Sequence, residues 1–366
     1  MKKINVGILF GGKSAEHEVS LQSAKNIVEA IDRDRYDITL IGIDKDGGWH
    51  YLADAVRFLL NSGDPEHIAL QPSGKYLAVN PAGQGEKFFC VADYSPQNNI
   101  DVIFPVLHGS FGEDGTVQGL LKLAGIPFVG AGVLGSAVGM DKDVMKRLWR
   151  DAGLPLARFL VFHKRQENEL DFAQISRFLG SPVFVKPANA GSSVGIGKAA
   201  SAAAFAAAAS EAFAFDNKII VEEAIQGARE LECAVLGNEE PIASGIGEIL
   251  LHADFYSYRA KYLDKNGAEV KVPADLPPAV AEQARDLALQ AFRVVCCEGM
   301  ARVDFFLTKE NKILLNEINT IPGFTNISMY PRLWREQGLA YGELIHRLIQ
   351  LALERHARES RLKTSF

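Results

Sequence analysis

The sequence predicts an α/β fold that becomes α+β in its C-terminal part, and three stretches carry that expectation. Residues 4–10 form an apolar strand, a helix follows from about Ser20 to Ile31, and Tyr36–Ile43 is the next strand. Such a strand–helix–strand start reads as a parallel layer. Further on, the strand Val183–Lys186 meets a glycine-rich loop, an Ala-rich helix near 201–213 and the strand Ile219–Glu222. Near the C-terminus, Ala301–Leu307 and Lys312–Asn319 are rich in β-branched and aromatic residues around a turn, which reads as an antiparallel hairpin.

The remaining elements follow in order. Residues 44–100 are rich in Gly, Pro and Asn with weak periodicity, and read as excursions and short elements. Asp101–Leu107 is an apolar strand ending at His108-Gly109; Gly112-Glu113-Asp114-Gly115 leads into a short helix, and Ile126–Val129 makes one more strand. A helix from about Asp141 to Ala152 stops at Gly153-Leu154-Pro155, a strong boundary signal, and a second unit starts near Met140. From Glu230 onward, the strands Glu232–Leu236 and Ile242–Ile249 lead through a Tyr-rich loop to a helix over 281–296 and then to the hairpin. The closing helix, about Tyr341–Arg355, has apolar spacing at Leu344, Ile345, Leu348, Ile349 and Leu351.

With 366 residues the chain is long enough for two to three domains, and 48% hydrophobic with 23% charged residues is ordinary globular composition. A net charge of −6 argues against a broad nucleic-acid-binding surface while permitting a local cationic pocket. Cys90, Cys233, Cys296 and Cys297 lack C-x-x-C spacing, so neither a disulfide framework nor a zinc site follows; buried thiols in a reducing compartment fit. Met1–Val6 enters a strand-like run rather than a signal-peptide core, and no apolar stretch approaches the ~20 residues of a membrane span. A soluble, cytoplasmic protein is expected.

In the hairpin, a two-residue loop centred on Glu310-Asn311 makes facing residue numbers sum to a constant. Asp304 then lies opposite Glu317, and Arg302 opposite Asn319. Side chains alternate with period two, so these four polar groups share one face while Val303, Phe305, Leu307, Leu314 and Ile318 take the other. Two carboxylates and an amide oxygen beside an arginine suit a hard divalent cation that leaves positions open for phosphate. The alternative is a solvated face with a cross-strand salt bridge.

Gly7–Ser14 satisfies the pattern G-x-x-x-x-G-K-S, but Gly7 lies inside the apolar run, and the remaining Gly11-Gly12 turn is too short to wrap a phosphate. The stronger nucleotide signal is Val183–Lys198. There a strand delivers Lys186 as a point charge, Gly191, Gly195 and Gly197 let backbone N–H groups approach anionic oxygens, and Ser192 and Ser193 add hydroxyls. A surface hairpin that happens to contain glycines is the plainer reading. Glu222-Glu223 at a strand end could read an adenine amino group, with Glu230 in reach of ribose hydroxyls; paired glutamates there are otherwise solvated.

The order Lys142, Val-Lys186-Pro, Gly/Ser loop, Val-Glu222-Glu, Arg302-x-Asp304, Asn-Glu317-x-Asn319 resembles the ATP-grasp fold, and within it the D-alanine–D-alanine ligase family. The signatures Gly11–Ser20, Val106–Gly119, Met300–Asp304 and Asn316–Thr325 carry the resemblance over essentially the whole chain. It implies three subdomains: a Rossmann-like, parallel-sheet N-terminal substrate-binding domain over 1–139, a central ATP-grasp subdomain with the Gly/Ser loop over 140–229, and a C-terminal one with the metal site over 230–366. It also implies a homodimer that makes D-alanyl-D-alanine for peptidoglycan precursors from ATP and two D-alanines, with two Mg²⁺ (or Mn²⁺), and that binds neither nucleic acid nor membrane. ATP would phosphorylate the first D-alanine, and the amine of the second would attack the acyl phosphate. ATP contacts are implied at Lys142, Lys186, Ser192, Ser193, Val194, Glu222, Glu223, Ala224, Ile225, Glu230 and Asn316, and metal ligands at Asp304, Glu317 and Asn319. Arg302 and the Gly323 N–H would stabilise the oxyanion. Glu16, with His108 nearby, would bind the first ammonium, and Lys261, Ser328 and Met329 the second substrate. Ser192 and Tyr262, hydrogen-bonded to Glu16, would close a loop over the site, and Tyr262 favours an amine over a lactate nucleophile. Arg259 and the extra Ala228 depart from the family pattern. A D-alanine–D-lactate ligase, or a non-catalytic nucleotide-binding protein on the same fold, is the alternative.

Overall fold

The computed structural model describes residues 3–52, 58–64, 67–81, 85–97, 99–251, 268–325 and 327–363. The first sheet has the order β3-β2-β1-β8, built from β1 (Ile4–Gly11), β2 (Tyr36–Ile43), β3 (Trp49–Leu52) and β8 (Val102–Val106). The strand β1 runs parallel to both β2 and β8, while β3 is antiparallel. Gly7 lies inside β1, where an added Cβ would meet Ile103 at 2.5 Å, so it is a packing glycine and no phosphate turn. Helix α1 (His17–Ala30) begins three residues earlier than expected. Its first turn is buried despite polar lettering, because Ser20 Oγ accepts from Gly11 N–H and donates to Val106 O. The excursions contain the short pairs β4 (Leu59–Leu60) with β5 (Ala69–Leu70) and β6 (Leu77–Val79) with β7 (Phe88–Cys90).

After α2 (Thr116–Leu123), the expected strand Ile126–Val129 is only an isolated parallel bridge from Phe128 to Ile103. Pro127 supplies a carbonyl to Ile103 N–H but has no N–H to extend the ladder. Helix α3 (Val133–Met140) was not expected; two glycines mask it, and one of them, Gly135, packs where a Cβ would lie 2.6 Å from Cys296 O. Helix α4 (Lys142–Asp151) starts on the Asp141 cap, whose carboxylate accepts from the N–H groups of Asp143 and Val144.

The second sheet is antiparallel, in the order β11-β10-β12-β9, from β9 (Phe159–His163), β10 (Val183–Pro187), β11 (Gly197–Ala199) and β12 (Lys218–Glu223). Helices α5 (Phe172–Leu179) and α6 (Ala202–Phe215) cover one face through Ile175, Phe205 and Phe213. The third sheet is an antiparallel ladder, β15-β14-β13-β16-β17, from β13 (Arg229–Gly237), β14 (Ile242–Leu251), β15 (Ala268–Lys271), β16 (Gly299–Leu307) and β17 (Ile313–Asn319). Helix α7 (Pro278–Val294) packs on one face with Trp149 of α4. On the other face lie α8 (Met329–Glu336) and α9 (Tyr341–Glu359), in a core continuous with α1 and β1.

The hairpin register corrects one assumption and keeps its outcome. The loop has three residues, Lys309-Glu310-Asn311, with Asn311 left-handed at φ 58°, and Leu307 pairs with Ile313. A β-bulge at Asn316 then shifts the pairing by one, so Asp304 does face Glu317 and Arg302 does face Asn319. Between turn and bulge the expected faces of the second strand alone are exchanged: Leu315, and not Leu314, enters the core with Phe305 and Leu307.

Candidate active site

A cleft of about 660 Å³ opens between the second and third sheets. One wall carries Lys142, Lys186, Gly191–Ser193 and Glu222–Ile225; the other carries Glu230, Glu232, Asp304, Asn316, Glu317 and Asn319. The cationic side is tightly paired. Lys186 Nζ lies 2.6 Å from Glu222 Oε2, and Lys146 Nζ lies 2.7 Å from Glu222 Oε1. Burial by itself would raise the Glu222 carboxyl, but the two ammonium groups overcome it and hold the group down at about 2. Lys142 Nζ donates to Ala190 O at 2.7 Å and stands 3.6 Å from Glu317 Oε2, across the cleft.

The Gly/Ser loop winds through left-handed backbone at Ser192 (φ 50°), Ser193 (φ 61°) and Gly195 (φ 68°). Ser192 Oγ donates to Glu16 Oε1. The Glu16 carboxylate is walled by two glycines, since a Cβ on Gly109 or Gly191 would come within 2.7 or 2.9 Å of Oε2. A loop carried by the second sheet is thereby tied to the start of α1.

On the opposite wall, Arg302 forks onto Asp304, with Nε to Oδ1 and Nη2 to Oδ2 both at 2.7 Å. Its Nε also lies 2.9 Å from Glu232 Oε2, and Asn319 Nδ2 donates to Asp304 Oδ2 at 3.0 Å. Oxygen donors of this kind suit Mg²⁺ or Mn²⁺. Among the described residues no group of three or more His, Cys, Asp or Glu forms a metal cage. Asp304, Glu317 and Asn319 line one wall of the cleft and offer two carboxylates and an amide to an ion that takes its remaining ligands from phosphate and water.

Beyond them, residues 321–324 are clamped by groups from the first sheet's side. Ile321 N–H donates to Glu113 Oε1 at 2.9 Å, and Gly109 N–H to Glu113 Oε2 at 2.9 Å. Since a carbonyl only accepts, His108 Nδ1 carries a proton and donates to Ile321 O at 3.0 Å, and its Nε2 lies 3.3 Å from Ser23 Oγ. Phe324 N–H donates to Ser23 Oγ at 3.4 Å. Gly323 sits close against Ser328, whose Oγ a Cβ would meet at 2.9 Å. Burial lowers the affinity of His108 for a second proton.

Burial, reinforced by Glu16, pushes the Glu113 carboxyl up to about 8 against the pull of its two N–H donors. The folded-state value exceeds the unfolded value of 4.5, so the folded protein binds more protons between the two. This contribution to stability is present below the unfolded value and is lost as pH rises through about 8. Glu113→Gln should flatten the fall in urea midpoint between pH 6 and pH 8.5; an unchanged slope would show that Glu113 does not carry it.

Comparison with known proteins places this geometry. Residues 5–131 match the family described as D-ala D-ala ligase N-terminus, and residues 148–350 match D-ala D-ala ligase C-terminus. D-alanine--D-alanine ligase A of Escherichia coli strain K12 is 56% identical over 365 residues, with 100% of both chains covered. The chain belongs to the D-alanine–D-alanine ligase family. Another family member, from Shouchella clausii, is 54% identical over 100% of this chain and 99% of its own. Among solved structures, the ligase from Coxiella burnetii superposes with TM-score 0.83 at 37% identity over 98% of each chain. The VanG D-Ala:D-Ser ligase from Enterococcus faecalis gives 0.84 at 36%, over 96% of this chain and 100% of its own. The fold is thus the ATP-grasp architecture of the D-Ala–D-Ala ligases.

Against that family frame, the cleft gathers Lys142, Lys186, Ser192, Ser193, Glu222, Glu223, Ala224, Ile225, Glu230, Asp304, Asn316, Glu317 and Asn319. Glu16, His108, Gly323 and Ser328 stand together beyond it through the contacts above, and Val194 N–H turns back to Gly191 O. Two placements differ from expectation. The Met329 side chain is buried in the core at the start of α8, so only its backbone could face a ligand. The Glu223 carboxylate is held by Arg158, at 2.7 Å from the backbone N–H and 2.8 Å from Nε. Lys261 and Tyr262, with the rest of the Tyr-rich loop, lie outside the described residues. The residues not singled out beforehand are Glu113, Lys146 and Glu232. Glu113 alone had a local signal, as the acidic residue of a Gly-Glu-Asp-Gly turn.

Proposed function

We propose that this chain joins two D-alanine molecules to D-alanyl-D-alanine at the expense of ATP, giving ADP and phosphate, in peptidoglycan precursor synthesis. The observation that carries the reading is one cleft with Lys142, Lys186 and the Gly/Ser loop facing Asp304, Glu317 and Asn319. Phosphoryl transfer to a carboxylate needs positioned phosphate charges and a metal-supported acceptor, and this pairing of walls provides both. Bound at Asp304, Glu317 and Asn319, two Mg²⁺ would neutralise charge on the transferred phosphoryl group.

The protein's own groups account for the rest. Lys142 and Lys186 hold phosphate oxygens, and the backbone of the Glu222–Ile225 strand end holds adenine, with Glu230 on the ribose. Glu16, kept in place by Ser192, orients the first D-alanine through its ammonium. Attack of the second D-alanine's amine on the acyl carbon forms the C–N bond and builds negative charge on the acyl oxygen. Arg302 and the Gly323 N–H receive that charge, and the tetrahedral species collapses by expelling phosphate. Ser328, Lys261 and the Met329 backbone hold the second carboxylate. The working unit is a cytoplasmic homodimer whose protomers divide into 1–139, 140–229 and 230–366. Among the described residues no helix is long and apolar enough to cross a membrane.

The D-Ala:D-Ser activity named for the Enterococcus relative makes the second substrate the point to test. Phosphate release would be followed with D-alanine alone, with added D-lactate and with added D-serine. Dipeptide from D-alanine alone is expected to dominate near neutral pH. A preference for D-lactate or D-serine would overturn the assignment of the acceptor, and no nucleotide turnover with any of them would overturn the enzyme reading.

A further inference from the structure

Lys146 is 1% exposed and lies beneath the cleft wall, one helical turn after Lys142 on α4. Taking an isolated ammonium out of water costs several kcal/mol, so a lysine at this depth must be compensated by a fixed charge. Its partner is Glu222 Oε1 at 2.7 Å, and the other oxygen of the same carboxylate takes Lys186 Nζ at 2.6 Å. Glu222 is itself only 3% exposed. Glu222 is thus one buried anion shared by two cations, one on each of its oxygens.

The two cations differ in where they stand. Lys186 borders the cleft and Lys146 does not. If Lys186 were the sole counter-charge of Glu222, one ammonium would have to serve a buried carboxylate and a phosphate together. We propose that Lys146 is a positioning residue for ATP binding: it is the permanent counter-charge of Glu222, and so leaves Lys186 available to the nucleotide's phosphates. This rests on the reading of Lys186 as a phosphate ligand.

The test is equilibrium binding of ATP and of adenosine, with Mg²⁺ and without D-alanine, to folded protein checked by its thermal midpoint. Lys146→Met should weaken ATP by about 10–100-fold, by analogy with the loss when the outer partner of a metal ligand is removed. Adenosine, which has no phosphate for Lys186, should bind within about twofold of the wild type, because the effect acts through charge alone. Lys146→Arg should recover most of the ATP affinity. The loss from Lys146→Met should shrink to a few-fold or less in a Glu222→Gln background, where there is no carboxylate left to compensate. If the methionine variant does not fold, Lys146→Gln removes the charge while keeping a donor, and the same loss is expected. A folded uncharged variant that binds ATP as the wild type does, or one that loses adenosine as severely as ATP, overturns the proposal. Lys186→Met separates it from the reading beneath it. If that variant also binds ATP normally, the phosphate role of Lys186 fails; if it loses ATP while Lys146→Met does not, only the role of Lys146 fails.

Discussion

Arg302→Ala is expected to lower kcat by about 10²–10³, the cost of losing one donor to a developing oxyanion. Two effects compete in this variant, and they move different quantities. Removing the guanidinium takes away the charge that would meet the acyl oxygen, which lowers kcat. It also strips Asp304 and Glu232 of a shared cation, 2.7 and 2.9 Å away, and leaves their carboxylates more strongly negative. The second effect should hold or strengthen the affinity for Mg²⁺, because a divalent ion and Arg302 compete for the same Asp304 oxygens. A fall in kcat with an unchanged or lower Mg²⁺ requirement is therefore the expected pattern. Arg302→Lys should rescue little, since an ammonium cannot reproduce the two-pronged contact with Asp304. A variant within about tenfold of wild-type kcat would remove Arg302 from the oxyanion role.

Trp149→Ala should destabilise the protein by about 3–5 kcal/mol, the range for deleting a fully buried large aromatic side chain. The indole is 0% exposed and packs in the core between α4 and the third sheet with α7. Its Nε1–H donates to Ala291 O at 3.0 Å, so truncation also removes a donor from a buried carbonyl. Urea unfolding would measure the loss, and a change below about 1 kcal/mol would show that the cavity collapses at little cost. The residue matters beyond stability because α4 also carries Lys142 and Lys146. Trp149 anchors that helix to Ala291, and the variant is expected to lose ATP affinity along with stability.

The parts of the site that were readable in advance are those whose neighbours are close in the chain. Arg302, Asp304, Glu317 and Asn319 belong to one hairpin, so period-two alternation was enough to put them on one face. Even there a longer turn and a bulge offset each other at the metal face while exchanging Leu314 with Leu315. The residues that escaped notice depend on pairings between distant segments. Glu232 reaches Arg302 only because β13 lies beside β16, which places it opposite Asp304. Lys146 looks like one more charge on an amphipathic helix until Glu222, on another sheet, is brought above it. Helix α3 was hidden for a related reason: its glycines lower helix propensity locally, and close packing on Cys296 and Thr320 makes them necessary. The Ile126–Val129 stretch had strand composition, but Pro127 denies it the ladder.

The bulge at Asn316 also bears on how such a site can change. An extra residue in one strand of a pair adds a side chain without turning over those beyond it, and here both Asn316 and Glu317 border the cleft. Deleting Asn316 would close the ladder with Glu317 still opposite Asp304 and Asn319 still opposite Arg302. Position 316 is thus an insertion that can be remodelled or lost separately from the metal face. A change at position 316 would alter the lining of the cleft while Asp304 and Glu317 keep their registration.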